Sequence, residues 1–344
     1  FQSAIHFNRH VVSPHFIFSS NEPNGVQIYR AALDGGELVQ RIYTMDEGIE
    51  LELAFHNTSA ISLRIERLVL LHTEDLRLGD LPSTEWFVFR QGRMKNELPA
   101  VCRLGDQGEC FQDACTSLRE SGDGTEALSE KPTLISDSMT LIHGGNSLLL
   151  TFETGDRLFT ETILELTASH DFHSLECTCP VYAEVLPGQT LVSERLRVSV
   201  VSDPQKAIDA YAHRKADRYH ARKSAHVPSV YCTWYYYGLT VSEADVLENL
   251  TAIQERQIPF EVFQVDEGWE QCLGDWLSNA RFPSGMQEIA HKIQEAGMIP
   301  GIWTSPFIAH ENAPITSLHP EWFIQHADGS WCLFPMNGTV YRVL

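Results

Sequence analysis

The chain has 344 residues, more than one ordinary domain needs, and its hydrophobic fraction of 43% allows a sizeable core. A formal net charge of −21 with no run of Lys or Arg excludes nucleic acid and acidic membrane surfaces as partners, and fits a neutral substrate. No stretch approaches the roughly 20 apolar residues of a membrane span, and the start (Phe1 to His6) lacks a basic region followed by an apolar run, so a cytoplasmic location is expected.

The eight cysteines, at 102, 110, 115, 177, 179, 232, 272 and 332, form no Cys-x-x-Cys pair and fit neither a zinc ribbon nor a small disulfide scaffold. Cys177-Thr178-Cys179 is read as strand rather than ligand pair. Reduced thiols, no metal and no cofactor are expected.

Up to about residue 200 the chain alternates apolar and polar residues, as in Leu51-Glu52-Leu53-Ala54-Phe55, Leu63 to Leu68 and Leu191 to Val201. In the last of these, Leu196, Val198 and Val200 are expected on one face. Turn signals punctuate the strands: Asn21 to Gly25, His143-Gly144-Gly145-Asn146 and Leu186-Pro187-Gly188. Many half-buried antiparallel strands predict a β-sandwich over 1–202, with residues 103–133 a long polar loop. Asp203-Pro204 opens a helix to about Arg222, expected as a connector over 203–227.

From 228 the pattern is strand–helix alternation. Val230 to Tyr237 is an aromatic, β-prone run. Thr240-Val241-Ser242-Glu243 has the form of a capping box before a helix carrying Val246, Leu247, Leu250 and Ile253. Glu261 to Asp266 is the second strand. Ser284 opens a helix with Met286, Ile289, Ala290 and Ile293 inward, and Gly297 occupies the C′ position. Met298 to Ser305 is the third strand. Such alternation predicts parallel strands with right-handed crossovers, in a doubly wound sheet or a (β/α)8 barrel.

In either fold, function collects beyond the C-terminal strand ends. Those ends read Trp234-Tyr235-Tyr236-Tyr237, Asp266-Glu267-Gly268-Trp269 and Trp303-Thr304-Ser305-Pro306. No glycine-rich phosphate loop follows the first strand, which disfavours nucleotides. Singly, an Asp-Glu pair in an acidic chain is usually solvated, and a strand-end Trp usually packs the rim. Together, carboxylates that accept from hydroxyls and indoles that stack on a ring face describe a carbohydrate site.

These residues carry a resemblance. Trp234-Tyr235-Tyr236-Tyr237, Phe263-Gln264-Val265-Asp266-Glu267, Gly274-Asp275-Trp276, Phe282-Pro283-Ser284-Gly285, Gly297 to Phe307 (with Pro300-Gly301-Ile302-Trp303) and His319-Pro320-Glu321-Trp322 follow one another in order. In that order they are similar to the motifs that open the catalytic barrel of family 36 glycoside hydrolases, the bacterial α-galactosidases. The resemblance implies a multidomain β plus α/β protein. An N-terminal antiparallel β-supersandwich (1–202) would precede the first three strands of a (β/α)8 TIM barrel (228–344). It also implies a retaining O-glycosidase acting on terminal α-linked galactosides, with α-galactoside oligosaccharides as ligands and a homo-oligomeric full-length protein.

Residue by residue, it implies that Trp234 and Trp303 are walls of the sugar pocket and that Asp266 binds hydroxyls around O4 and O6. Glu267 stands where the family has a second Asp; one extra methylene shifts that carboxylate and leaves the glycone open. Trp276 is a further candidate. Family members commonly present a Trp-bearing loop from the sandwich, whereas this chain has Phe89 to Asn96 without Trp. That segment is either a solvated hairpin tip or a place from which Arg90, Arg93 or Lys95 reaches the aglycone, and Arg93 is taken as the candidate. The family nucleophile and acid/base lie near strands four and six, expected beyond Leu344, so no catalytic residue is assigned and the chain alone is expected to be an inactive fragment. A transglycosylase of raffinose-type synthesis, an α-N-acetylgalactosaminidase and a non-catalytic carbohydrate-binding protein are the alternatives.

Overall fold

The computed structural model describes residues 2–7, 10–22, 25–92, 98–106, 132–222, 224–326, 328–336 and 338–344. The chain divides into two compact units, Phe1–Arg222 and Lys223–Leu344.

In the first unit, one antiparallel sheet has six strands in the order Thr133–Ser136, Glu161–Leu166, Phe172–Val185, Leu63–Thr73, Gln2–Phe7 and His10–Val12. The second has ten. Its path runs from Ile17–Asn21 through Gln27–Leu33, Gly36–Met45 and Gly48–Asn57 to Leu196–Val201. It continues through Ser147–Phe152, Met139–His143 and Phe87–Arg90 to Ala100–Arg103, and Thr190–Val192 pairs separately with Gly48–Asn57. Alternation places every second residue inward. Ile5, Ile65, Leu68 and Leu164 from one sheet therefore share one core with Leu38, Leu51, Phe55 and Phe152 from the other. Gly145 and Gly188, at φ +103° and +76°, supply the left-handed turns expected there. Cys177 and Cys179 lie buried in one strand, and burial pushes both thiols up to about 12. Cys102 is disulfide-bonded, which corrects the expectation of reduced thiols at that position.

Two strand expectations change. The run Leu191 to Val201 breaks at 193–195, where Ser193 accepts from Leu53 N–H and Glu194, fully buried, accepts from the N–H groups of Arg157 and Leu158. Val200 is 68% exposed while Ser199 and Val201 are buried, so the alternation read from sequence inverts at the strand end. The backbone of Val198 and Ser199 there packs directly on Gly48, where a Cβ would meet Val198 O at 2.1 Å.

The helix expected as a connector, Pro204–Arg218, is capped by Asp203 accepting from Lys206 N–H and packs on the first unit. Tyr211 is buried and donates to Phe152 O, and Arg214 makes a bidentate pair with Glu153 at 2.9 and 2.8 Å. Burial alone would raise the Glu153 carboxyl. The Arg214 guanidinium and the Thr151 hydroxyl outweigh it and hold Glu153 below the usual carboxylate range. A depressed folded-state value means that this stabilisation is complete above the unfolded carboxyl value and is lost as pH falls through the folded one. Glu153→Gln is accordingly expected to lower the stability of the first unit at neutral pH by about 2 kcal/mol, with a loss that shrinks toward pH 3. Urea melts of both proteins between pH 7 and 3 check this, and a constant difference across that range would refute it.

In the second unit, Val230–Cys232, Val262–Val265 and Ile299–Ile302 form a parallel sheet with the middle segment central. Two helices, Glu243–Glu255 and Gly285–Glu295, follow the first two strands. They bury Val246, Leu250, Ile253, Ile289 and Ile293 against Phe263 and Val265. The capping box lies two residues beyond the expected one: Ser242 accepts from Asp245 N–H, and Asp245 accepts from Ser242 N–H. The aromatic run is strand only for three residues, after which Trp234–Tyr237 turn helically. A small antiparallel sheet ends the unit in the order Ile308–His310, Thr339–Val343, Leu333–Met336. Among the described residues no helix is long and apolar enough to cross a membrane.

Candidate carbohydrate site

Parallel register sets the three strand ends side by side: Cys232 pairs with Gln264, Gln264 with Gly301, and Val265 with Ile302. The next residues are tied through backbone N–H donors, one to a side-chain hydroxyl and one to a carbonyl. Asp266 N–H donates to Thr233 Oγ1 at 2.9 Å, and Trp303 N–H donates to Val265 O at 3.0 Å.

Asp266 is buried, and its carboxylate is fixed by three donors. Gln264 Nε2 at 2.8 Å and the Cys232 thiol at 3.2 Å reach Oδ2, while Glu267 N–H at 2.9 Å reaches Oδ1. Burial, then the adjacent Asp266 carboxylate, push the Cys232 thiol upward, which keeps it a donor. With both sites on Oδ2 taken and one left on Oδ1, Asp266 is a fixed carboxylate that can accept one further hydrogen bond.

Gly268 turns the chain after Glu267 at φ +115°, and a Cβ there would meet Leu239 O at 2.8 Å. Arg281 locks the turn by donating to Leu239 O and Gly268 O at 2.7 and 2.6 Å, and Asn279 donates to Gly268 O and Glu270 O. The turn carries Glu267 to the wall of a cavity of about 330 Å³, shared with Glu270, Arg281, His310 and Tyr341. Glu267 and Glu270 are both more than nine-tenths buried, and Glu270 Oε2 accepts from Gly268 N–H. His310 Nδ1 accepts from Asn312 N–H at 3.2 Å.

Trp234 and Trp303 are half-buried beside Asp266 in sequence order of the strand ends. Trp269, not singled out as a site residue, is buried in the core and donates from Nε1 to Trp303 O at 3.0 Å. Trp276 stacks on Trp269 at 6.2 Å with an unusual left-handed φ of +52°. Of the expected residues that are described, only Glu267 lines the 330 Å³ cavity. Arg93 and Lys95 lie outside the described residues. Arg90 does not reach outward: it is buried in the strand Phe87–Arg90 of the first unit. The cavity residues Glu270, Arg281, His310 and Tyr341 carried no spacing signal. Arg281, directly before Phe282-Pro283, was the nearest to one.

Residues 209–337 match the Melibiase family. The chain is 28% identical over 110 residues to α-galactosidase 2 of Pediococcus pentosaceus, which is 30% of this chain and 15% of that protein. It is 31% identical over 96 residues to the A type blood α-D-galactosamine galactosaminidase of Flavonifractor plautii, covering 27% of this chain and 8% of that one. The fold aligns with the family 36 α-galactosidase AgaA of Geobacillus stearothermophilus at a TM-score of 0.62 and 12% identity, over 99% of this chain and 50% of that one. The chain thus spans about half the length of that structure.

Proposed function

Because the chain belongs to the α-galactosidase-like glycoside hydrolases of family 36, we propose that it carries the sugar-binding portion of a retaining enzyme for terminal α-linked galactosides. On this reading the parallel strands of the second unit open a (β/α)8 barrel behind an N-terminal β-supersandwich. The observation that carries the proposal is the adjacency of Trp234, Asp266, Glu267 and Trp303 at three successive parallel strand ends, with the Asp266 carboxylate fixed by three donors.

Asp266 accepts from a sugar hydroxyl, Trp234 and Trp303 offer indole faces to the ring, and Trp276 supports the wall through Trp269. Glu267 reads the glycone from the cavity side. Retention needs a nucleophile and an acid/base about 5–5.5 Å apart across the scissile bond. Asp266, held as an acceptor, is a poor nucleophile, so neither role is assigned within this chain. The homo-oligomeric full-length protein implied by the family belongs to the same proposal and is read by light scattering.

The test is hydrolysis of a chromogenic α-galactoside by the 344-residue chain beside the full-length gene product. Turnover confined to the longer protein is expected. Turnover by this chain alone would place the nucleophile within it and overturn the assignment. Glu267, together with the galactosaminidase relative, favours a second reading in which the glycone is an amino or N-acetylamino galactose. Faster release from the corresponding galactosaminide decides for it. Product analysis separates hydrolysis from transfer to a sugar acceptor, and galactoside binding by a full-length protein without turnover would leave a carbohydrate-binding role.

A further inference from the structure

A second cavity, of about 450 Å³, lies within the first unit, in the size range of small-ligand sites. It opens where residues 13–16 pass from the edge strand His10–Val12 of one sheet to the edge strand Ile17–Asn21 of the other. Its floor is the inner side of Gln27–Leu33 and Gly36–Met45, where Tyr29 and Gln40 are directly opposed.

The polar groups there are fixed. Gln40 and Ser3 are 7% and 5% exposed; Gln40 Nε2 donates to Ser3 Oγ at 2.7 Å, and Ser3 Oγ donates to Leu70 O at 2.7 Å. No described residue donates to Gln40 Oε1, and that oxygen is not among the fully buried atoms left without a partner, so it stands as an accessible acceptor at the cavity. Leaving such an oxygen dry is costly, so its partner is water or a ligand hydroxyl. Tyr29 is held edge-to-face by Phe18 at 5.6 Å, and with Phe16 it gives the cavity two aromatic rings. In a chain of net charge −21, no Asp, Glu, Lys or Arg lines this cavity.

We infer that this cleft is a second saccharide site, taking a neutral sugar of one or two pyranose rings. An ionic ligand would find no Asp, Glu, Lys or Arg to pair with, the exposed His15 being the one basic side chain of the lining, and a hydrocarbon would strand the Gln40 oxygen. A sugar presents hydroxyls for the amide and an apolar ring face for the tyrosine. The site uses no residue of the second unit and does not depend on the galactosidase reading.

The experiment is calorimetric titration of the 344-residue chain carrying Asp266→Asn with raffinose. The substitution disables the proposed strand-end site, so residual binding reports the first unit. Saturable binding is expected, weakened about tenfold or more by Tyr29→Ala. It should be weakened equally by Ser13→Trp, which blocks the mouth from an exposed position and leaves the core contacts in place. Absence of saturable binding in the Asp266→Asn chain would overturn the site, as would binding that neither added substitution changes. In either case the α-galactosidase reading is tested separately by turnover.

Discussion

Asp266→Asn in the full-length protein is expected to lower kcat/KM for an α-galactoside by about 10²–10³-fold, because on the proposed reading it replaces a charged acceptor of a sugar hydroxyl with a neutral one. The substitution preserves shape. The introduced amide keeps an Oδ1 that can still accept from Glu267 N–H, and the Gln264 amide can reverse so that its oxygen accepts from the new Nδ2. The stability of the second unit should therefore move by only about 1 kcal/mol. Steady-state kinetics and a urea melt on the same protein separate these quantities. A kcat/KM within a few-fold of the parent would remove Asp266 from the binding site. A melt displaced as far as the kinetics would show that its role is structural.

Gly268→Ala is the second large effect, expected to destabilise the second unit by about 2–4 kcal/mol from a strained left-handed backbone plus steric overlap. The overlap falls on Leu239 O, C and Cα at 2.8–3.0 Å, all main-chain atoms that cannot rotate away. Relief would require the turn to move, and Asn279 and Arg281 resist by holding its carbonyls. Because Glu267 leaves the strand one residue earlier, sugar binding should weaken along with stability. A melting midpoint unchanged from the parent would mean that the turn is softer than its hydrogen bonds imply.

Much of this architecture was legible because its causes are local. The helix at 285–295 shows its apolar stripe in sequence, and Gly297 stops it with φ +83° where a left-handed residue was expected. Strand Val262–Val265 delivers Asp266 and Glu267 to its end because Phe263 and Val265 must be buried against the two helices. What misled was also local. Val230 to Tyr237 has high β-propensity, yet only three residues pair, and past Gln264 the next N–H on that side, Asp266 N–H, donates to the Thr233 side chain instead of continuing the ladder. The capping box moved by two residues because Ser242, unlike Thr240, is placed to exchange hydrogen bonds with Asp245.

Other features join residues far apart in the chain, and no period or motif encodes them. Glu153 finds Arg214 only when the helix lies on the sheet, so the expected connector became part of the first unit. Arg90, polar and near a hairpin tip, looked solvent-facing until the strand carrying it was paired on both sides by Met139–His143 and Ala100–Arg103. Ser3 reaches Gln40, the cross-strand partner of Tyr29, only because two sheets close over one core. By itself, the order of residues determined the strand-then-alternation layout and which side chains stand at the parallel strand ends, since both follow from side-chain periodicity and turn chemistry. Tertiary structure alone decided which carboxylate is locked and which faces a cavity, because desolvation and donor geometry come into being only when distant segments pack.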